Sequence, residues 1–383
     1  MTASAASFDF EDIRPYRDNE VDEVIASLVD DPEFLTAIAT LRAPRLLKLC
    51  APLTRFLVRY KLKQKLYQYH NVNQLQIAVE KYLDHSLRET ADSVSCTGLE
   101  KLDTNKTYLF LCNHRDIVLD PAICNYFLHR NGFDTFRIAI GDNLLKKPYS
   151  SDLMRLNKSF IVKRGIENRR EKLTELIKLS AYIQSSINEE GQSVWIAHRE
   201  GRSKDGLDKT DTALLKMLTL SGGKELSFAQ KAFDLHIVPT VISYEWDPCD
   251  LMKARELAAL AKNGSYDKSE LEDINSIATS IQGKKGDIHV CFGDELIREF
   301  ETDEEMAREI DRQIWSNYRL HASNLVAYRR REGSLPEGLQ LNEEKIAEAE
   351  AELQLRLDQL EPDEQQVLLD TYANSVRSWL SLS

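Results

Sequence analysis

The stretch Leu111-Cys-Asn-His-Arg-Asp-Ile-Val-Leu-Asp-Pro121 decides how this chain is interpreted. An apolar run ends there in a polar tetrapeptide, and Asp120 follows shortly afterwards. A histidine at a strand end, with carboxylates at Asp116 and Asp120, is a pattern that suits a general base with an orienting partner. The same spacing also fits a capped turn, in which Asp116 or Asn113 caps the next helix and His114 is merely exposed.

Around this stretch, from about Leu102 onward, short apolar runs alternate with longer helical segments. This rhythm predicts an α/β fold: a mixed, largely parallel sheet flanked by helices, with the ligand site at the carboxyl ends of the strands. The predicted strands are Tyr108–Cys112, Phe136–Ile140, Ser159–Val162, Val194–Ala197, Ile237–Ser243 and Ile288–Phe292. The predicted helices between them are Pro121–His129, Arg170–Ile187 and Thr212–Leu220.

The chain outside this alternating part is predicted to be helical. We expect an N-terminal helical region over 1–100, the α/β domain over 101–295 and a C-terminal helical extension over 296–383. A short helix is expected within residues 8–36. The predicted helices of the extension are Asp303–Arg331, as one long stretch, Glu343–Leu360 and Asp363–Leu380.

Composition narrows the class of protein. The 383 residues carry 50 Lys and Arg against 62 Asp and Glu, a formal net charge of -12. Nucleic-acid binding requires a basic face, so no nucleic-acid partner is expected. The six cysteines form no CxxC pair, which favours reduced thiols over disulfides or a metal site. The acidic stretch Met1–Asp31 lacks the pattern of a secretory signal, so a cytoplasmic location is expected.

One segment departs from the acidic balance. Arg42–Lys65 holds eight basic residues and no acidic one, with leucines and aromatic residues between them. Such a basic amphipathic stretch (42–65) is typical of a helix that lies in a membrane interface. We therefore expect peripheral association with the cytoplasmic face of the membrane. The alternative is a core helix whose basic side packs against the acidic N-terminal segment.

Cations follow two of the predicted strands, and a proline interrupts a third. If these strands are neighbours, their ends gather the cations around His114, which suits a substrate that carries both a hydroxyl and a phosphate. Pro239 lies inside a strand, where the loss of an N–H requires a reason. The residues concerned are Lys163, Arg164 and Gly165 after one strand, and Arg199, Glu200, Gly201, Arg202 and Lys204 after another.

In this order and spacing, four segments resemble the glycerolipid acyltransferases, which include glycerol-3-phosphate and lysophosphatidic acid acyltransferases. They are Asn113-His114 with a following Asp, Phe160-Ile-Val-Lys-Arg-Gly165, Arg199-Glu-Gly-Arg-Ser203, and Val238-Pro239. The resemblance extends from about Asn105 to Asp247. It implies that His114 deprotonates the acceptor hydroxyl and that the third segment holds the acceptor's phosphate.

Two departures from the family pattern concern the site. In the family, four residues separate the His from the Asp, which would place the Asp at the position that Leu119 occupies here. Five residues separate His114 from Asp120 in this chain. We favour Asp120 as the partner of His114 and keep Asp116 as the alternative. The third segment also lacks the usual Thr between Gly201 and Arg202.

The resemblance implies transfer of an acyl group from acyl-CoA or acyl carrier protein to a phosphate-bearing glycerolipid, a lysophospholipid or glycerol-phosphate. Formation of phosphatidic acid from 1-acylglycerol-3-phosphate is the favoured reaction. The thioester is a co-substrate, and no cofactor is expected. The rival predictions are a non-catalytic lipid-binding relative, and a thioesterase or N-acyltransferase on the same fold.

Overall fold

The computed structural model describes residues 8–222, 225–268, 272–336 and 342–382. By their internal contacts, the described residues form two compact units. The first unit comprises Leu83–Phe136 and the described residues from Leu176 onward, and the second comprises Phe8–Tyr82 and Arg137–Glu175. The division predicted from sequence, 1–100, 101–295 and 296–383, stays a prediction.

Six of the observed strands coincide with the predicted ones to within two residues at each end. The strands are β1 Ala91–Thr97, β2 Leu109–Cys112, β3 Arg137–Gly141, β4 Ser159–Val162, β5 Val194–Ala197, β6 Ile237–Tyr244 and β7 Gly286–Phe292. The first eight helices are α1 Val21–Asp30, α2 Pro32–Arg42, α3 Pro44–Leu49, α4 Ala51–Leu66, α5 Val72–Thr90, α6 Leu119–Arg130, α7 Pro148–Leu156 and α8 Arg169–Asn188. The others are α9 Thr212–Leu218, α10 Phe228–Phe233, α11 Asp250–Asn263, α12 Glu272–Gln282, α13 Asp303–Asn317, α14 Ala322–Glu332, α15 Glu343–Leu357 and α16 Pro362–Leu380.

In the first unit, β2 lies between β5 and β6 and runs parallel to both. β7 pairs antiparallel with β6 and parallel with β1. Parallel pairs outnumber the antiparallel one, so the predicted mixed, largely parallel sheet is confirmed. Cys112 lies opposite Ala197 of β5 and Thr240 of β6, so the carboxyl ends of β2 and β5 are level.

The long central strand β6 extends beyond the end of β2. All of its residues are buried, and its run of Ile and Val suits a strand that is covered on both faces. The Asn113 amide N–H donates to the Thr240 carbonyl (3.3 Å), which carries the pairing one residue past β2. The second half of β6 therefore lies beside the turn that contains His114.

In the second unit, β3 and β4 form a parallel pair. The expected short helix within 8–36 is two helices, α1 and α2, because Asp31 caps α2 by accepting from Phe34 N–H (2.8 Å) and Pro32 starts it. The basic stretch is likewise two helices, α3 and α4, which meet at Cys50.

The predicted single helix over Asp303–Arg331 is wrong. α13 ends at Asn317 and α14 begins at Ala322, with His321 at the start of α14 held by Asn324 Oδ1, which accepts from its N–H (2.9 Å). The His321 ring lies 3.1 Å from Ser243 Oγ. Buried tertiary contacts therefore interrupt a pattern whose periodicity would allow one continuous helix. α14, α15 and α16 then pack together over a shared apolar core.

Candidate active site

The turn after β2 is fixed to β6 by the side chain of Asn113. Asn113 Oδ1 accepts from Ile242 N–H (2.8 Å), and Asn113 Nδ2 donates to Ile242 O (3.1 Å). The side chain thus pairs with the part of β6 that extends beyond β2, as a strand residue would. This pair of hydrogen bonds places His114, the next residue, at the carboxyl edge of the sheet, where the sequence predicts the site.

His114 is paired with Asp120. Its Nδ1 lies 2.8 Å from Asp120 Oδ2, and Asp120 is fully buried while the His114 side chain is 15% exposed. The His114 ring meets the edge of the Trp195 ring at 5.6 Å between centroids. A carboxylate on Nδ1 fixes the ring tautomer, and Nε2 then carries the lone pair. In the described part of the chain, Nε2 has no hydrogen-bond partner.

Asp120 gathers three more donors. Its Oδ2 also accepts from the N–H groups of Arg115 (2.6 Å) and Asp116 (2.8 Å), and its Oδ1 accepts from Tyr244 Oη (2.8 Å). Both oxygens of an ionised carboxylate can accept several donors, so this arrangement suits the charged form. Burial, and the nearby charges of Asp120 and Asp116, raise the pKa of Tyr244 well above its ordinary value, which keeps its hydroxyl a donor.

Asp116, the alternative partner, is used elsewhere. Its Oδ1 accepts from the N–H groups of Val118 (3.0 Å) and Leu119 (2.8 Å), and its Oδ2 accepts from Ser280 Oγ. Asp116 therefore caps the turn that leads into α6. That cap accommodates the extra residue between His114 and Asp120, so the capped turn and the His–Asp pair, stated above as alternatives, coexist.

The predicted third segment forms a loop that returns to His114. Ser203 N–H donates to the His114 carbonyl at 2.6 Å. Gly201 has a φ of +78°, in the left-handed region that side chains rarely adopt, and this turns the loop back towards β2. Arg202 is therefore the residue immediately before the amide that bonds the His114 carbonyl. Glu200 lies in the same loop.

The three cations of this loop differ in their partners. Arg199 pairs with Asp205 (2.8 Å) and Lys204 pairs with Glu256, whereas Arg202 donates only to the hydroxyl of Ser276 (3.0 Å). Among the described residues, Arg202 therefore has no carboxylate partner at salt-bridge distance. A partly exposed guanidinium with a neutral partner is the best suited of the three to bind a phosphate.

The predicted second segment lies in the other unit. Lys163 pairs with Asp12 (2.7 Å) and Glu175 (3.1 Å), and Arg164 N–H donates to Asp142 Oδ2 (3.2 Å). Among the described residues other than Gly165 and its chain neighbours, none has an atom within 4 Å of where a Cβ on Gly165 would lie. Two carboxylates already neutralise Lys163. That these residues join His114 around one substrate stays a prediction.

Pro239 lies within β6, opposite Leu111 of β2. It is buried, and its carbonyl accepts from Gly293 N–H (2.8 Å). A Cβ on Gly293 would lie 2.6 Å from that same carbonyl, so only glycine allows the approach. The contacts of Pro239 are thus with the sheet, and its predicted role in substrate binding stays a prediction.

Comparison with known proteins identifies the part of the chain that carries this site. The sequence model of the acyltransferase family matches residues 93–243. These residues form an acyltransferase-family domain. The predicted acyltransferase family and enzyme class are therefore confirmed for this part of the chain.

Two other comparisons concern the chain as a whole. A solved structure, the 1-acyl-sn-glycerophosphate (LPA) acyltransferase PlsC from Thermotoga maritima, is similar to this chain at 14% sequence identity. The similarity covers 76% of this chain and 91% of that chain, with a TM-score of 0.37. No curated protein matches the chain at a significant level.

Several groups that support the acyltransferase domain's histidine were not predicted from the sequence. Tyr244, at the end of β6, is the most direct because it bonds Asp120. Lys253 of α11 is buried, and its ammonium donates to the Arg115 carbonyl (2.7 Å) and pairs with Asp247. The one signal for Tyr244 in the sequence was its place at a strand's carboxyl end, the edge where His114 was expected. Nothing in the sequence marks Lys253.

Further buried charged groups connect the turn of His114 to the loop of Arg202. Arg115 is buried and pairs with Asp208, and it donates to the Gly206 carbonyl (3.2 Å). Burial acts to raise the pKa of Asp208, but the charge of Arg115, together with His198 and the hydrogen bonds from Asn113 and Arg115, lowers the pKa overall. His198, the residue before Arg199, is fully buried. Burial lowers its pKa to about 4, so its ring is neutral near pH 7.

Two further properties of the described residues bear on the predictions. They contain no group of three or more His, Cys, Asp or Glu side chains that could hold a metal ion. None of their helices has the length and apolar character required to span a membrane.

Proposed function

We propose that this chain transfers an acyl group from a thioester to a hydroxyl of a phosphate-bearing glycerolipid. The donor is acyl-CoA or acyl carrier protein, and the favoured acceptor is 1-acylglycerol-3-phosphate, with phosphatidic acid as the product. The observation that carries the proposal is His114, with Nδ1 held by the buried Asp120 and with Nε2 left for a substrate hydroxyl. The acyltransferase-family match over the same residues supports it.

In the proposed mechanism, His114 acts as a general base and then as a general acid. Nε2 takes the proton of the acceptor hydroxyl while its oxygen attacks the thioester carbonyl carbon, forming a tetrahedral intermediate. The carbon–sulfur bond then breaks, and Nε2 returns the proton to the thiolate. The products are an ester and a free thiol. Asp120 stabilises the imidazolium that exists between the two proton transfers.

Arg202 supplies the proposed phosphate contact. It lies beside the residue whose amide bonds the His114 carbonyl, and its guanidinium has a hydroxyl rather than a carboxylate as partner. A phosphate can therefore take its remaining N–H groups without displacing an ion pair. This explains why the loop can keep Arg199 and Lys204 in salt bridges and still bind an anion.

Thiol release from acyl-CoA tests the reaction. With lysophosphatidic acid present, the wild-type protein is expected to release free thiol and form phosphatidic acid, and His114→Ala is expected to abolish both. His85→Ala, at an exposed histidine of the same unit, is the matched control. Release without acceptor would show a thioesterase, and transfer only to an amine would show an N-acyltransferase. Lipid binding without turnover, with either donor, would show a non-catalytic relative.

The phosphate contact has its own test. Arg202→Gln is expected to raise the KM for lysophosphatidic acid about 10- to 100-fold, because hydrogen bonds to a charged group contribute roughly 1.5–3 kcal/mol. Arg308→Gln, at an exposed arginine of α13, should leave the KM unchanged. Equal KM values for both variants would remove Arg202 from phosphate binding.

We further propose that α3 and α4 bind an anionic membrane surface on the cytoplasmic side. Several of their large apolar side chains face outward, with Leu49 exposed by 84% and Phe56 by 62%. Arg59 and Lys63 pair with Asp30, so part of the basic side packs against the acidic N-terminal segment as the alternative held. The cations that stay exposed beside the apolar residues are Arg45, Lys48, Lys61 and Lys65.

Vesicle co-sedimentation tests this surface. Binding to vesicles that contain phosphatidylglycerol is expected to exceed binding to pure phosphatidylcholine and to weaken with salt, because the lipid charge attracts the exposed cations. Replacing Leu49 and Phe56 with Gln should reduce it further. Leu173→Gln, at an exposed leucine of α8, is the control. Unchanged binding by the double variant would rule out this surface.

A further inference from the structure

The loop that carries Arg202 rests on the last helix of the chain. Residues 199–206 form neither helix nor strand, so their main-chain groups require partners outside the sheet. Asn374 Nδ2 of α16 donates to the Asp205 carbonyl at 2.8 Å, and Thr371 Oγ1 contacts the Lys204 carbonyl at 3.2 Å. Two successive carbonyls of the loop are thus held from α16.

Glycine makes this contact unusually close. Gly206 has a φ of +76°, and a Cβ there would lie 1.9 Å from the Thr371 carbonyl oxygen. The loop and the helix therefore meet main chain to main chain, which any side chain at this position would prevent. This close approach fixes the position of the loop relative to α16.

Asn374 is itself held in one orientation. Its Oδ1 accepts from Arg377 Nη1 (2.8 Å), so its Nδ2 is directed to Asp205. Thr371 is a weaker tether, because its single hydroxyl proton is shared with the Val367 carbonyl (2.9 Å) of its own helix. Asn374 is the residue of α16 whose donor is committed to the loop.

The helix is a firm support. Tyr372 Oη donates to Asp250 Oδ2 (2.7 Å), and Asn324 Nδ2 donates to the Tyr372 carbonyl (3.0 Å). Leu368 and Leu369 of α16 are buried in the apolar core shared with α14 and α15. α16 is therefore fixed to α11 and α14 independently of the loop.

We propose that Asn374 is a positioning residue for acceptor binding: through the Asp205 carbonyl it holds the loop so that Arg202 meets the acceptor's phosphate. The inference rests on the proposed function for the identity of the acceptor. It gives the C-terminal extension a role in the site, although α16 lies outside the residues that match the family model. Asn374 touches no reacting group, so its effect falls on acceptor affinity and not on proton transfer.

The isosteric change Asn374→Asp tests this. An aspartate keeps the acceptor oxygen for Arg377 but cannot donate to the Asp205 carbonyl. We expect a rise of about tenfold in the KM for lysophosphatidic acid, with kcat within about twofold of wild type. Gln366→Glu places the same charge change on an exposed part of the same helix and is the control. Gly206→Ala, from the other side of the contact, should reproduce the rise in KM.

A readout that does not need turnover accompanies the kinetics. Hydrogen–deuterium exchange of peptides covering 199–206 is expected to quicken in Asn374→Asp and not in Gln366→Glu, and inorganic phosphate should slow it in the wild type. If the wild type acylates no phosphate-bearing acceptor, the proposed function fails, and this exchange arm still decides the positioning role. Asn374→Asp with the control's KM and the control's loop exchange overturns the proposal. A fall in kcat at unchanged KM overturns it as well.

Discussion

Replacing Tyr244 by phenylalanine is the sharpest test of how Asp120 supports His114. The change removes one hydroxyl, whose oxygen lies 2.8 Å from Asp120 Oδ1, in a fully buried environment. A hydrogen bond to a charged group contributes roughly 1.5–3 kcal/mol, so this is the cost expected for the ionised carboxylate. Oδ1 then has no other hydrogen-bond donor among the described residues, whereas Oδ2 keeps three.

The sign of the pH effect follows from the charge. The Tyr244 hydroxyl stabilises the ionised carboxylate, so its loss favours the state in which the His114–Asp120 pair holds an additional proton. The acid limb of the profile of kcat/KM against pH should therefore move to higher pH. The free energy of unfolding near neutral pH should fall by up to the cost of that hydrogen bond, roughly 1.5–3 kcal/mol.

Thiol release measured from acidic to alkaline pH, together with urea unfolding, checks both effects. Tyr126→Phe is a matched control, because the Tyr126 hydroxyl also donates to a carboxylate, Asp84 Oδ1, at 2.8 Å but on the surface side of α6. It should leave the pH profile unchanged. If Tyr244→Phe kept the acid limb and the unfolding free energy of the wild type, the view that four donors hold Asp120 in its working state would be refuted.

Two further predictions concern groups in and near the site. Asp120→Asn should lower kcat on the order of a thousandfold, because it disturbs the tautomer of the His114 ring. Asp116→Asn should change kcat only a few-fold, because the asparagine amide oxygen can still cap the turn. Thiol release measured with both variants checks this difference. Burial lowers the pKa of His198 to about 4 and that of His321 to about 3. Because the unfolded chain binds these protons first, stability should decline as the pH falls from about 6.5 towards 4, and His321→Gln should flatten that decline in urea unfolding.

Much of the sheet was predictable because its strands are buried apolar runs between helices. β1 was missed because its sequence, Ala91-Asp-Ser-Val-Ser-Cys-Thr97, is mostly polar and partly exposed. Within the first unit β1 pairs with β7 alone, so it needs no apolar run to be stable. The break between α13 and α14 was missed because the helical periodicity of the apolar residues continues across it. Only the tertiary contacts of the residues in the break end the helix.

The candidate site was predictable to the level of residue types at a strand end and no further. Spacing alone left Asp116 and Asp120 open, because the choice depends on how the turn into α6 is capped. Tyr244 and Asn374 lie 124 residues beyond Asp120 and 169 residues beyond Asp205, respectively, in sequence. Contacts of that separation depend on the packing of whole elements, and no local pattern records them.

These long-range contacts also bear on where the functional unit ends. The match to the acyltransferase family stops at residue 243. It therefore excludes the next residue, Tyr244, whose hydroxyl donates to Asp120. Lys253, which bonds the Arg115 carbonyl, and Ser280, which bonds Asp116, lie further along the chain, and Asn374 lies further still. Each of these contacts acts on the turn of His114 or on the loop of Arg202. The segment that carries the candidate site is therefore held in shape by residues that follow it, and the C-terminal helices belong to the same compact unit as His114.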